Sequence, residues 1–146
     1  MPDAYVSEAS YAGTPSTDFV EVAVSAGTDV SGCSVQLYTQ MGNWIVTMPF
    51  PVLSTSVAGK DVYLFETNLS GGTAVVIVDD TGTAMQFVSF YDPLVTSIDG
   101  DLAGQTPSYP GVTATSGDSI QSDDGGLSYY VQSARTQAAF PVSGRG

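Results

Sequence analysis

The chain is expected to be all-β, a two-sheet β-sandwich of about seven to nine short strands. Three observations predict this. Short segments such as Phe19–Val24 and Asp61–Glu66 carry apolar side chains at every second residue, the period of a pleated strand. Turn formers rich in Gly, Pro, Asp and Asn separate these segments. No apolar stripe of helical period extends beyond about two turns.

In order, Tyr5 to Tyr11 reads as an opening strand with Tyr5, Ala9 and Tyr11 on one face, followed by a loop over Ala12–Asp18. Phe19 to Val24 places Val20, Val22 and Val24 on one face and Phe19, Glu21 and Ala23 on the other. Cys33–Tyr38 and Trp44–Met48 follow, joined by a turn at Met41-Gly42-Asn43. Pro49 and Pro51 stop the latter strand and assign its end to a sheet edge, because proline cannot donate to a ladder. Val52–Gly59 reads as a connection, and Asp61–Glu66 as a short strand with Val62, Leu64 and Glu66 opposed to Tyr63 and Phe65.

Thr73 to Tyr91 is the strongest signal: a β-branched run, the turn Asp79-Asp80-Thr81-Gly82, and an alternating return strand. Both faces of its first arm are apolar, which predicts a central hairpin with Val76, Ile77, Val78 and Phe87 buried. Residues 96–118 are rich in Gly, Pro, Ser and Thr and read as a long surface excursion. Ser119–Gln121 and Leu127–Gln132 supply the last strands. The domain is expected to span 1–133, with 134–146 as a C-terminal arm without periodicity.

Fifteen acidic residues against three basic ones (Lys60, Arg135, Arg145) give a net charge of −12. Nucleic acid is excluded as a partner, since its phosphates demand a basic surface, and an anionic membrane surface is disfavoured likewise. No apolar run reaches membrane-spanning length, so membrane insertion is not expected. The first residues lack the basic and apolar regions of a signal peptide. The single cysteine, Cys33, forms no intrachain disulfide and reads as a buried small apolar residue.

The segments Phe19-Val-Glu-Val, Asp29-Val-Ser-Gly, Gly59-Lys-Asp-Val-Tyr and Ala74-Val-Val-Ile-Val-Asp-Asp-Thr-Gly-Thr occur in an order that resembles the bacterial lamin-tail-like domain. Glu8 matches the glutamate of that family's opening strand, Ile77-Val-Asp-Asp-Thr-Gly82 its later hairpin, and Ser119-Ile120-Gln121 its closing element. Cys33 stands where the family's corner carries an aromatic residue. The resemblance covers about residues 4 to 134. It implies an immunoglobulin-like sandwich, of the kind found at the front of secreted bacterial proteins, some bearing Hint modules. It implies no shared catalytic residues.

The absence of histidine removes Ser-His-Asp and Cys-His catalysis and histidine-bearing zinc motifs together. Carboxylates would have to carry any catalysis, with Glu8, Glu21 and Glu66 on strands that could face one groove. The plainer reading of these acids is solvated strand positions or hydrogen bonds to loops, and no enzyme is expected. Calcium candidates are Asp79-Asp80, Asp99 with Asp101, and Asp123 with Asp124, none at EF-hand spacing. Each is also ordinary turn chemistry, so no cofactor is expected. The tyrosines with Trp44 offer either a carbohydrate-stacking face or core packing.

The expected function is therefore a non-catalytic structural or interaction protein of a larger assembly, in its most specific form a capsid-decorating or other virion-surface protein. The alternative is a glycan- or partner-binding module of an extracellular bacterial surface protein. Expected partners are subunits of a repetitive assembly, including further copies of this chain. Tyr109, Pro110, Phe140, Pro141 and Arg145 are the expected anchors, isolated among small polar residues.

Overall fold

The computed structural model describes residues 4–11, 18–39, 43–52, 55–57, 59–67, 69, 74–90, 104–112, 119–122, 125–126 and 128–132. Among these the chain is all-β, in two antiparallel sheets, the class that the sequence predicts. Ten strands are formed: β1 (Ala4–Ser10), β2 (Phe19–Ser25), β3 (Ser34–Tyr38), β4 (Trp44–Pro49), β5 (Thr55–Val57), β6 (Lys60–Glu66), β7 (Ala74–Val78), β8 (Ala84–Ser89), β9 (Ser119–Gln121) and β10 (Tyr130–Gln132). β5 lies in the stretch read as a plain connection. Its pairing partner β6 supplies the ladder that its own short sequence does not advertise. Among the described residues no helix is long and apolar enough to cross a membrane.

The chain forms two compact units, one of Met1–Thr28, Pro51–Ser70 and Gly111–Gly146, the other of Asp29–Phe50 and Gly71–Pro110. The first carries a six-stranded sheet of order β10-β9-β1-β2-β6-β5. The β1–β2 register runs Val6↔Val22 and then Glu8↔Glu21, so Ser7 is an extra residue and β1 bulges there. This shift corrects the expected face of Tyr5 and Ala9. Tyr5 pairs with Ala23 and Ala9 with Val20, which places them on opposite faces. One face carries Val6, Ala9, Val20, Val22 and Ile120, all fully buried. The other carries Tyr5, Glu8, Ser10, Phe19, Glu21, Ala23, Ser119 and Gln121, also buried although five of the eight are polar or charged.

The second unit carries a four-stranded sheet of order β4-β3-β7-β8. As its two apolar faces predict, β7 is interior and every residue of it is buried. Val35, Leu37, Val75, Ile77 and Val88 share one buried face. Tyr38, Ala74, Val76 and Val78 form a cluster on the other, with Ala84 and Phe87 packed against it. The Tyr38 and Phe87 rings lie 5.7 Å apart at a tilt of 54°, within the range of favourable aromatic pairs.

The hairpin is central in only one arm. β8 ends the sheet, and Phe87 on it is half-buried rather than buried. A bulge at Met85, between Ile77↔Gln86 and Val78↔Ala84, keeps Ala84 on the Phe87 face. The β8 edge is covered at one point: Ser89 N–H donates to Ser108 O (2.8 Å), and Ser108 N–H donates to Phe87 O (2.9 Å).

The turn between β7 and β8 is organised by Asp79. Its Oδ1 accepts from Thr81 Oγ1 (2.6 Å), Thr81 N (2.8 Å) and Thr83 N (3.0 Å). Gly82 takes φ +83° to close the turn, a backbone state that costs other residues energy. Beside it, the corner at Gly32 packs so closely that a Cβ there would lie 2.9 Å from Asp80 Cβ.

Candidate functional site

The carboxylates that the sequence singled out converge on one face of the six-stranded sheet. β1 and β2 run antiparallel, and Glu8 lies directly opposite Glu21. Directly paired residues project from the same face. Glu66 pairs with Phe19, which puts it on that face too, but at its exposed margin. Glu8 and Glu21 are fully buried, with no exposed surface. They are therefore not the solvated strand positions of the plainer sequence reading.

Donors from two strands, β9 and β1, hold them. Ser119 Oγ donates to Glu8 Oε2 at 2.6 Å, and Gln121 Nε2 donates to the same oxygen at 3.1 Å. Tyr130 O–H donates in turn to Gln121 Oε1 at 3.2 Å, extending the chain onto β10. Ser7, the bulge residue, donates its hydroxyl to Glu21 Oε1 at 2.8 Å. The bulge is braced from outside the β1–β2 ladder: Tyr129 O–H donates to Val6 O (2.7 Å), and Ser122 N–H donates to Ser7 O (3.0 Å). Buried polar groups persist where donors face them. Chemically this is a hydrogen-bonded tie joining β1, β2, β9 and β10.

Sequence reasoning named Glu8 and Glu21 but missed Ser7, Ser119, Gln121 and Tyr130. A signal existed in Ser7-Glu8 and Ser119-Ile-Gln121, since small donors flanking an acid on a strand suit an internal hydrogen bond. Asp18, read as part of a loop, is also buried, and its Oδ2 accepts from Leu69 N at 3.0 Å.

The acidic turns hold themselves together. Hydrogen bonds from the Thr81 hydroxyl and the Thr83 backbone keep the Asp79 carboxyl below the usual aspartate range. The Ser31 hydroxyl and backbone do the same for Asp29, and the Ser56 hydroxyl with Gly27 N–H for Asp61. Among the described residues no cluster of three or more His, Cys, Asp or Glu is placed to hold a metal ion. The candidates Asp99, Asp101, Asp123 and Asp124 lie outside the described residues.

Cys33 is buried, and its thiol pKa is pushed up, first by burial and then by the negative charges of Asp80, Asp79 and Asp29. Such surroundings suppress the thiolate and with it nucleophilic chemistry.

Of the expected anchors, Tyr109 and Pro110 are half-buried beside the Ser108 bridge to β8. Phe140, Pro141 and Arg145 lie outside the described residues. Tyr5, Tyr11, Tyr38 and Tyr63 are core residues rather than members of an exposed aromatic face. Trp44 differs: on β4, it and Ile45 are each 46% exposed. The pairs Leu37↔Val46 and Tyr38↔Trp44 leave Ile45 as an extra residue, and this bulge lets neighbouring large apolar side chains both face solvent. Comparison of the chain with family models, curated proteins and solved structures finds no match.

Proposed function

We propose that this chain is a non-catalytic structural or interaction protein seated on a larger repetitive assembly, in its most specific form a capsid-decorating protein of a virion surface. One observation carries the reading. Glu8 and Glu21, the side-by-side acids on which carboxylate catalysis would depend, are sealed within the sheet and committed to Ser119, Gln121 and Ser7. A catalytic acid pair must reach its substrate, whereas these two serve the fold. The −12 charge favours a neutral or basic partner surface, with an association that weakens as salt screens it.

Tyr109, Pro110, Phe140, Pro141 and Arg145 are proposed as the anchors to neighbouring subunits. Deleting residues 137–146 should leave the fold intact by circular dichroism and abolish co-purification with particles. A truncated chain that still occupies its assembly at full stoichiometry refutes the role of the arm. Turnover in a hydrolase screen, abolished by Glu21→Gln, refutes the non-catalytic reading.

A second reading, a glycan- or partner-binding module of an extracellular bacterial surface protein, accords with the lamin-tail-like resemblance. Its specific support is the exposure of Trp44, since an accessible indole can stack on a sugar ring. A glycan array whose signal Trp44→Ala removes favours this reading, and a blank array disfavours it.

A further inference from the structure

We propose that the folded state of this chain depends on dissolved salt, whose cations supply as diffuse countercharge what the chain itself lacks. Fifteen acidic residues stand against three basic ones, for a net charge of −12. Among the described residues Lys60 is the only cation. Its ammonium group lies over the Tyr5 ring, 5.5 Å from the centroid. A net charge this far from zero repels itself and opposes the compact state.

The fold concentrates that charge at one place. The corner between β2 and β3 meets the turn between β7 and β8 where a Cβ added to Gly32 would lie 2.9 Å from Asp80 Cβ. The negative charges of Asp80, Asp79 and Asp29 all act there on the Cys33 thiol. Hydrogen bonds within their own turns favour the charged forms of Asp79 and Asp29, and Asp80 stands exposed to solvent. Folding therefore brings together like charges that an open chain keeps apart. At low ionic strength they act on one another across the corner, whereas at about 1 M salt the Debye length shrinks to about 3 Å.

The cohesion that opposes this repulsion comes from small side chains. More than half of the buried apolar residues are valine or alanine. Leu37, Leu69, Ile77 and Ile120 are the only larger aliphatic ones among the described residues. Hydrophobic stabilisation scales with the apolar area removed from water, and small side chains remove less of it. Relief of repulsion by salt is then a large share of a small net stability.

The full chain is melted by calorimetry in KCl, and again in NaCl, from about 0.05 to 2 M. The melting temperature should climb by roughly 10 °C in either salt. Sucrose strengthens burial without screening charge and should recover only part of that gain. Asp80→Asn removes one exposed charge from the corner. It should melt higher than the parent at low salt and lose that advantage above about 1 M.

A melting temperature that is flat or falls with salt overturns the proposal. So does an Asp80→Asn chain no more stable than the parent at low salt, or an advantage that salt leaves untouched. Full recovery by sucrose overturns it in favour of burial alone. A gain completed by calcium at roughly millimolar concentration overturns it in favour of a bound ion.

Discussion

Gly32→Ala tests whether the corner after Val30 is held against the β7–β8 turn. Gly32 takes φ +83°, and a Cβ built on it would stand 2.9 Å from Asp80 Cβ. Two terms oppose the substitution. An L side chain in left-handed conformation costs roughly 1–2 kcal/mol, offset in part by about 0.4–1 kcal/mol from the stiffer unfolded chain. The net conformational term is thus about 1 kcal/mol.

The second term is steric. Carbon atoms pack best at about 3.5–4.0 Å, so the corner must move by more than about half an ångström from a turn whose Asp79 already accepts three hydrogen bonds. Such overpacking typically costs about 1–3 kcal/mol, for a total of about 2–4 kcal/mol. Gly82 and Gly27 isolate the first term, since both have φ +83° with nothing within 4 Å of the added Cβ. Urea unfolding of the three alanine variants measures the difference through their midpoints at a common slope. If Gly32→Ala costs no more than Gly82→Ala, the corner yields freely and the close packing carries no energy.

Three further outcomes are expected. Ile77→Ala, at a fully buried position on interior strand β7, should cost about 2–5 kcal/mol by urea unfolding, and a change within error would place β7 outside the core. Asp79, Asp29 and Asp61 have lowered pKa values, so the unfolded chain binds more protons at acid pH. Their stabilisation is present above the ordinary aspartate value of about 3.9 and is lost as pH falls through the lowered native values. Melting temperature against pH should therefore fall below about pH 4, and Asp79→Asn should flatten that fall. The Cys33 thiol should react slowly with a thiol reagent at mildly alkaline pH in the native protein and quickly after unfolding. Equal rates would show an accessible thiolate.

The period-two alternation of Phe19–Val24, the doubly apolar run of Ala74–Val78 and the Asp-Gly turn were legible because each is local: side-chain direction in a strand repeats every two residues. The interior place of β7 followed from its lack of any polar face. The three bulges were not legible. Ser7, Ile45 and Met85 are extra only relative to β2, β3 and β7, and a one-residue register shift leaves no mark on the strand that bears it. Yet the Ser7 bulge decides that Tyr5 and Glu8 share a face, and the Ile45 bulge decides that Trp44 has an exposed apolar neighbour. The acids show the same division. Sequence placed Glu8 on a strand, but its burial needed Ser119, 111 residues away. The donors that meet the Glu8 carboxyl come from β9, and the tertiary structure alone brings them there.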